Sequence, residues 1–221
     1  MSDIPQLPVL IVPGKGGSEP AHWQSWLETQ VAGCRRVEQA NWDNPELLPW
    51  ARRVARQAQA LADEYGAAPL LVAHSFGCLV GAYAALHLGA PVAAGLYAAP
   101  ANPARFGIPR SALAWPLPRH GQQNDLIAST NDPWMKSTDA AWLAEAWGAR
   151  FQLLEGAGHI NVAAGFGPWA LPVEWIAQAR QKAVRAAAPG PRAPGRSGPS
   201  MLIENSDFPR GAAPFYPGGA V

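Results

Sequence analysis

Residues 70–81, LLVAHSFGCLVG, constrain the fold of this chain more than any other stretch. Leu70, Leu71 and Val72 form a short apolar run of the kind found in a buried parallel strand. Beyond Gly77, the residues Leu79, Val80, Tyr83, Leu86 and His87 recur three or four apart, which is helical spacing. Ala73-His74-Ser75-Phe76-Gly77 lies between them. A strand that passes into a helix through so few residues must turn tightly. Bulky groups two residues either side of Ser75 would clash in such a turn. Gly77 meets that demand fully, and Ala73 meets it less well than a glycine. Ser75 then stands at the carboxyl end of a strand and the amino end of a helix, where N–H groups favour an anion.

The rest of the chain repeats the alternation. Strands are predicted at residues 8–12, 35–39, 92–97, 126–129 and 150–154, and helices at 19–30, 139–147 and 171–187. Another helix starts with Asn44 as cap and Pro45 at its first position. Its apolar face is Leu47, Ala51, Val54, Ala55, Ala58, Leu61 and Ala62, and Gly66 ends it. Arg52, Arg53, Arg56 and Asp63 form its solvated face. The pattern predicts an α/β fold: a mostly parallel sheet in a three-layer sandwich, with helices on both faces. Residues 98–123 are proline-rich and aperiodic. They read as irregular loops with room for a short helix, and are too short for a large cap domain. Residues 1–187 form the expected domain. Residues 188–221 are rich in Pro and Gly and read as an irregular C-terminal tail.

Composition narrows the function. A formal net charge of +1 gives no reason to expect nucleic acid or an acidic surface as partner. No apolar run approaches the length of a membrane span, and the start carries no basic leader, so a reducing cytoplasm is the expected location. Cys34 and Cys78 are the only cysteines, too few for a disulfide framework or a zinc site. GKGGS at residues 14–18 matches neither a P-loop nor a dinucleotide loop. Beside an activated serine such a loop has another use, since its N–H groups can face an oxyanion. Lys15 or Gly16 is the candidate donor, together with Phe76.

A serine hydroxyl needs a base to take its proton and an acid to hold that base. Where the serine sits on a strand-to-helix elbow, acid and histidine follow it in the chain, each on a loop beyond a strand. Asp132 and His159 stand in such places. The competitors fit less well. His74 adjoins Ser75, so its side chain leaves the turn in another direction, and a structural or pocket-lining role is expected. His22 reads as a helix cap or packing residue, and His87 and His120 as non-catalytic. Asp125 starts a strand instead of ending one, and Asp139 looks like a helix cap. Cys78 reads as a buried helix residue. Ten tryptophans is a high count. Trp23, Trp115, Trp134, Phe166 and Trp169 are candidates for lining an acyl pocket, with core packing the competing role for each.

These stretches resemble the YdeN and retinoblastoma-binding-protein-nine family of small serine hydrolases, within the α/β-hydrolase superfamily. VPGKGGSEPAHWQSWL, VAHSFGCLVG, STNDPW and GAGHINVAAGFGPW carry the resemblance and span residues 12–169. It implies Ser75 as nucleophile, Asp132 as acid and His159 as base. Ala73 departs from the general G-x-S-x-G pattern. The tail has no counterpart in the family pattern. The expected chemistry is acyl transfer on a small ester, with thioesters and activated amides open and no metal or organic cofactor required. Members of the family are also associated with protein binding. A non-catalytic or weakly catalytic interaction module on the same scaffold is therefore the competing reading. Haloalkane dehalogenation is disfavoured, because that chemistry puts an Asp at the elbow.

Overall fold

The short apolar runs become six parallel strands in a computed structural model that describes residues 6–118 and 123–187. In chain order they are β1 (Val9–Val12), β2 (Cys34–Arg36), β3 (Leu70–His74), β4 (Ala94–Ala98), β5 (Asp125–Ser129) and β6 (Arg150–Leu154). Their spatial order is β2-β1-β3-β4-β5-β6, and every neighbouring pair is parallel. The connections therefore reverse direction between β1 and β3. Ligands in open parallel sheets bind beyond the carboxyl ends of the strands at such a reversal. Ser75 directly follows β3, so the chain order itself places it there.

Alternation along the strands divides the core into two layers. Leu10, Val12, Leu71, Ala73, Leu126 and Ala128 face one side. They pack under α2 (Leu47–Tyr65), α3 (Phe76–His87) and α4 (Ser137–Trp147). Val9, Ile11, Leu70, Val72, Leu96 and Ile127 face the other side, under α1 (Trp23–Gln30) and α5 (Ala170–Ala187). The elbow helix α3 is apolar almost all round, because α2 covers the side turned from the sheet. Asp125 opens β5 as a buried carboxylate. It accepts from Arg150 Nε on β6 at 2.6 Å and from Trp175 Nε1 on α5 at 2.6 Å, tying three elements together.

Several boundaries differ from the sequence reading. Helix α1 starts at Trp23, not residue 19. The intervening residues stay in the loop, where Ser18 has φ 58° and His22 caps the helix by accepting from Gln24 N–H at 3.1 Å. β2 ends at Arg36, after which Val37 makes one last bond to Ile11 and the chain turns away. Helix α2 is capped by Glu46, with no side-chain cap, so Asn44 and Pro45 remain outside it. Pro49 explains the shift. With Pro45 at the first position, Pro49 would fall in the second turn and lose a hydrogen bond. Starting at Leu47 puts Pro49 in the first turn, where its missing N–H has no intrahelical acceptor. The Asn44 amide donates instead to Glu46 Oε1. Lys136, not Asp139, caps α4; Asp139 lies in its first turn and pairs with Arg110.

Residues 98–118 contain two short 3₁₀ turns, Pro103–Phe106 and Arg110–Ala112. His87 bonds the carbonyl of Ala112 at 2.8 Å and so anchors this segment to α3. His120 and residues 188–221 lie outside the described residues. Among the described residues no helix is long and apolar enough to cross a membrane.

Candidate active site

The first strand loop and the elbow are in contact through missing side chains. A methyl group at Gly77 would lie 2.2 Å from the Val12 carbonyl oxygen and 2.6 Å from that of Pro13. One at Gly14 would lie 2.7 Å from Ser75 Cβ and 3.2 Å from Phe76 N. Both are closer than any real side chain reaches, so glycine at each position lets the two loops touch. Ser75 itself takes φ 55° and ψ −124°. Three backbone bonds hold it there: its N–H donates to Ala98 O, and its carbonyl accepts from Cys78 N–H and Ala101 N–H. The backbone of the turn is thus fixed from β4 and α3.

The side chains of Ser75, His159 and Asp132 meet beyond the strand ends. His159 Nδ1 lies 2.7 Å from Asp132 Oδ2, and its Nε2 lies 2.9 Å from Ser75 Oγ. With Nδ1–H donated to the carboxylate, Nε2 is left to accept the serine hydroxyl. The side chains of His159 and Asp132 are 4% and 2% exposed, so the pair is shielded from water. The other Asp132 oxygen accepts from Trp134 N–H at 2.9 Å.

The two loops that carry this pair are clamped to each other. Asn131 Oδ1 accepts from Gly158 N–H at 2.7 Å and from Ser129 Oγ at 2.8 Å. Thr130 Oγ1 accepts from Gly156 N–H at 3.0 Å. Trp23 Nε1 donates to the Ile160 carbonyl at 2.9 Å, and His74 Nε2 lies 2.9 Å from the His159 carbonyl. His74 therefore supports the backbone of His159. Apart from the Ser129–Asn131 bond, these supports are invisible in sequence, because each joins residues far apart in the chain.

His22, His74 and His159 stand in a row, with ring centroids 4.8 Å and 5.0 Å apart. Burial pulls His74 well below the ordinary histidine range, and the nearby His22 and His159 rings push the same way. Burial likewise lowers His22 to about 4, partly opposed by Glu19. Both are neutral near neutral pH. Cys78 donates its thiol to Ala98 O, and burial pushes its pKa well up, as suits a packing residue.

The N–H of Gly16 is already bonded to Trp42 O at 3.1 Å, which removes it as an oxyanion donor. Phe76 opens α3 and has no carbonyl one turn back, so its N–H faces outward. Lys15 N–H has no acceptor among the described residues. Of the candidate donors, Phe76 and Lys15 remain.

A cavity of about 490 Å³ opens beside Ser75. Of the aromatic candidates only Trp134 lines it. Trp23 is fully buried in the second core layer, Trp169 packs edge-on against it and Phe166 against Trp169, and His74 is buried behind His159. Trp115 is 59% exposed and does not line this cavity. The wall is instead made by Lys15, Asp43, Asn44, Ala101, Arg105 and Phe106. Arg105 and Asp43 lie in segments with no periodic signal, and only the tertiary fold brings them to Ser75. A second, more open cavity of about 380 Å³ lies on the Asn131 and Ala164 side of Trp134 and His159. Among the described residues no group of three His, Cys, Asp or Glu side chains is placed to hold a metal.

Comparison with known proteins places the chain in a family. A family model described as serine hydrolase matches residues 9–178. A crystal structure of a YdeN-like hydrolase from Pectobacterium atrosepticum is 32% identical, with a TM-score of 0.71 over 80% of this chain and 92% of that one. The YdeN gene product of Bacillus subtilis is 19% identical, with a TM-score of 0.60 over 79% and 99% of the two chains. Thermogutta terrifontis esterase 2, in a structure phosphonylated by cyclosarin, is 16% identical, with a TM-score of 0.54 over 86% and 88%. The last two likenesses are of fold. No curated protein sequence matches the chain.

Proposed function

We propose that this chain, which belongs to the serine hydrolase family and is YdeN-like within the α/β-hydrolase superfamily, cleaves small carboxylic esters with Ser75, His159 and Asp132. The observation that carries this reading is the continuous pair of hydrogen bonds from Ser75 Oγ through His159 to Asp132, at 2.9 and 2.7 Å.

His159 Nε2 takes the proton from Ser75 Oγ as the oxygen attacks the ester carbonyl. Asp132 stabilises the imidazolium and holds its tautomer, without taking the proton itself. The tetrahedral oxyanion faces the N–H groups of Phe76 and Lys15, which stand ready before the charge develops. Collapse expels the alcohol, protonated by His159. Water, activated by the same nitrogen, then attacks the acyl-enzyme and releases the acid. No step calls for a metal or an organic cofactor.

A fluorophosphonate probe tests the assignment, since it needs an activated serine but no particular ester. Covalent labelling of the native chain and its loss in Ser75→Ala is the expected result. An unlabelled native protein would return the reading to an interaction module on a hydrolase scaffold.

A further inference from the structure

We propose that the ester taken by this site carries a second, ionised carboxylate, which Arg105 and Lys15 bind. The inference rests on the hydrolase reading above and names its substrate class. The cavity beside Ser75 has two cationic side chains in its wall, Lys15 and Arg105. Arg36, Arg110 and Arg150 each pair with an acidic side chain. Among the described residues, Lys15 and Arg105 pair with none. Their charges are therefore available to a ligand.

Arg105 is also placed with respect to the chemistry. Its guanidinium carbon is 6.0 Å from the centroid of the Trp134 ring. That ring is 4.8 Å from the ring of His159. One indole thus separates the guanidinium from the base, and a ligand long enough to pass the Trp134 edge meets both. A guanidinium fork matches a carboxylate in two parallel hydrogen bonds and loses less hydration than an ammonium.

Asp43 lines the same cavity and, among the described residues, forms no ion pair. It leaves the wall with one net positive charge, which a monoanion neutralises. A dianionic phosphate would leave one negative charge over, and a cationic ester would meet two repulsive groups for one attractive. The match is to a single carboxylate.

Matched p-nitrophenyl esters test the proposal on the full chain: the monoester of glutarate, the neutral valerate, and an analogue ending in trimethylammonium. We expect kcat/KM for the glutarate to exceed that for the valerate by about tenfold, the scale of a charge-assisted bond at a wet site. Arg105→Gln should bring the ratio of the two close to one, Arg105→Lys should keep part of it, and Asp43→Asn should raise it. Binding of monomethyl glutarate and methyl valerate to Ser75→Ala, followed by calorimetry, gives the same comparison without turnover. Equal rates and equal binding, or a ratio unmoved by Arg105→Gln, would overturn the proposal. Preference for the cationic ester would also overturn it and make Asp43 the reader of an amine. Absence of both turnover and fluorophosphonate labelling would sink the hydrolase reading instead, while the calorimetric comparison still decides the carboxylate.

Discussion

Ser75 adopts a backbone conformation that costs a non-glycine residue about 1–3 kcal/mol, and three backbone hydrogen bonds maintain it. The hydroxyl is thereby fixed against His159 before substrate arrives. Ser75→Ala and His159→Ala should each lower kcat by about 10⁴–10⁶-fold, and the double variant should be little worse than the poorer single one. Multiplicative losses in ester hydrolysis would show that the two side chains act separately. Asp132→Asn should cost a similar or smaller factor, since it removes the charge that stabilises the imidazolium. The buried histidines set a different pH dependence, in stability. An unfolded histidine protonates near 6.5, whereas His22 in the fold does so only at about 4. Between those values the unfolded chain binds more protons, so falling pH favours unfolding. Stability is complete above 6.5 and declines toward pH 4, and His74 acts in the same direction. His22→Asn keeps a capping acceptor but cannot titrate. Its urea midpoint should fall less than that of the native chain between pH 6.5 and 4.5, and an identical decline would mean that other groups govern it.

At the scale of elements, the site depends on close contacts between loops. Gly77→Ala would force a methyl group onto the Val12 and Pro13 carbonyls, so a loss of at least about 2–3 kcal/mol is expected. Trp23→Phe keeps the aromatic packing but leaves the Ile160 carbonyl without its donor. It should cost about 1–3 kcal/mol and loosen the loop that carries His159, readable as faster amide exchange at residues 156–161. The meeting of Ser75, Asp132 and His159 was legible in sequence because each follows an apolar strand run in a fixed chain order. Strand positions were legible for the same reason: full burial of β1, β3, β4 and β5 leaves continuous apolar runs. Helix starts were less so, because Pro49 and the cap geometry at His22 and Glu46 decide them together. The pocket wall was not legible at all. A tryptophan that fills the core, such as Trp23, and one that lines the cavity beside Ser75, such as Trp134, look alike until the layers are assembled.

For the whole molecule, both core layers close within the described residues before position 188, and the serine hydrolase match ends at residue 178. A chain ending at residue 187 should therefore keep its melting temperature within a few degrees and retain its esterase activity. A large drop, or insoluble protein, would show that the removed residues complete the fold. Residues 98–118 contain two short turns, the first of which borders the cavity, with no helix large enough to act as a cap. Hydrolysis of a soluble short-chain ester should accordingly rise smoothly with concentration, without a jump when droplets form. The interlock of the first loop with the elbow reaches further than the site. Because Gly77 leaves room only for the Val12 and Pro13 carbonyls, and Gly14 only for the elbow at Ser75, each segment must be shaped to the other. Recombination between relatives should thus tolerate crossovers after residue 118 far better than crossovers between residues 18 and 70, which would join a loop from one parent to an elbow shaped for another.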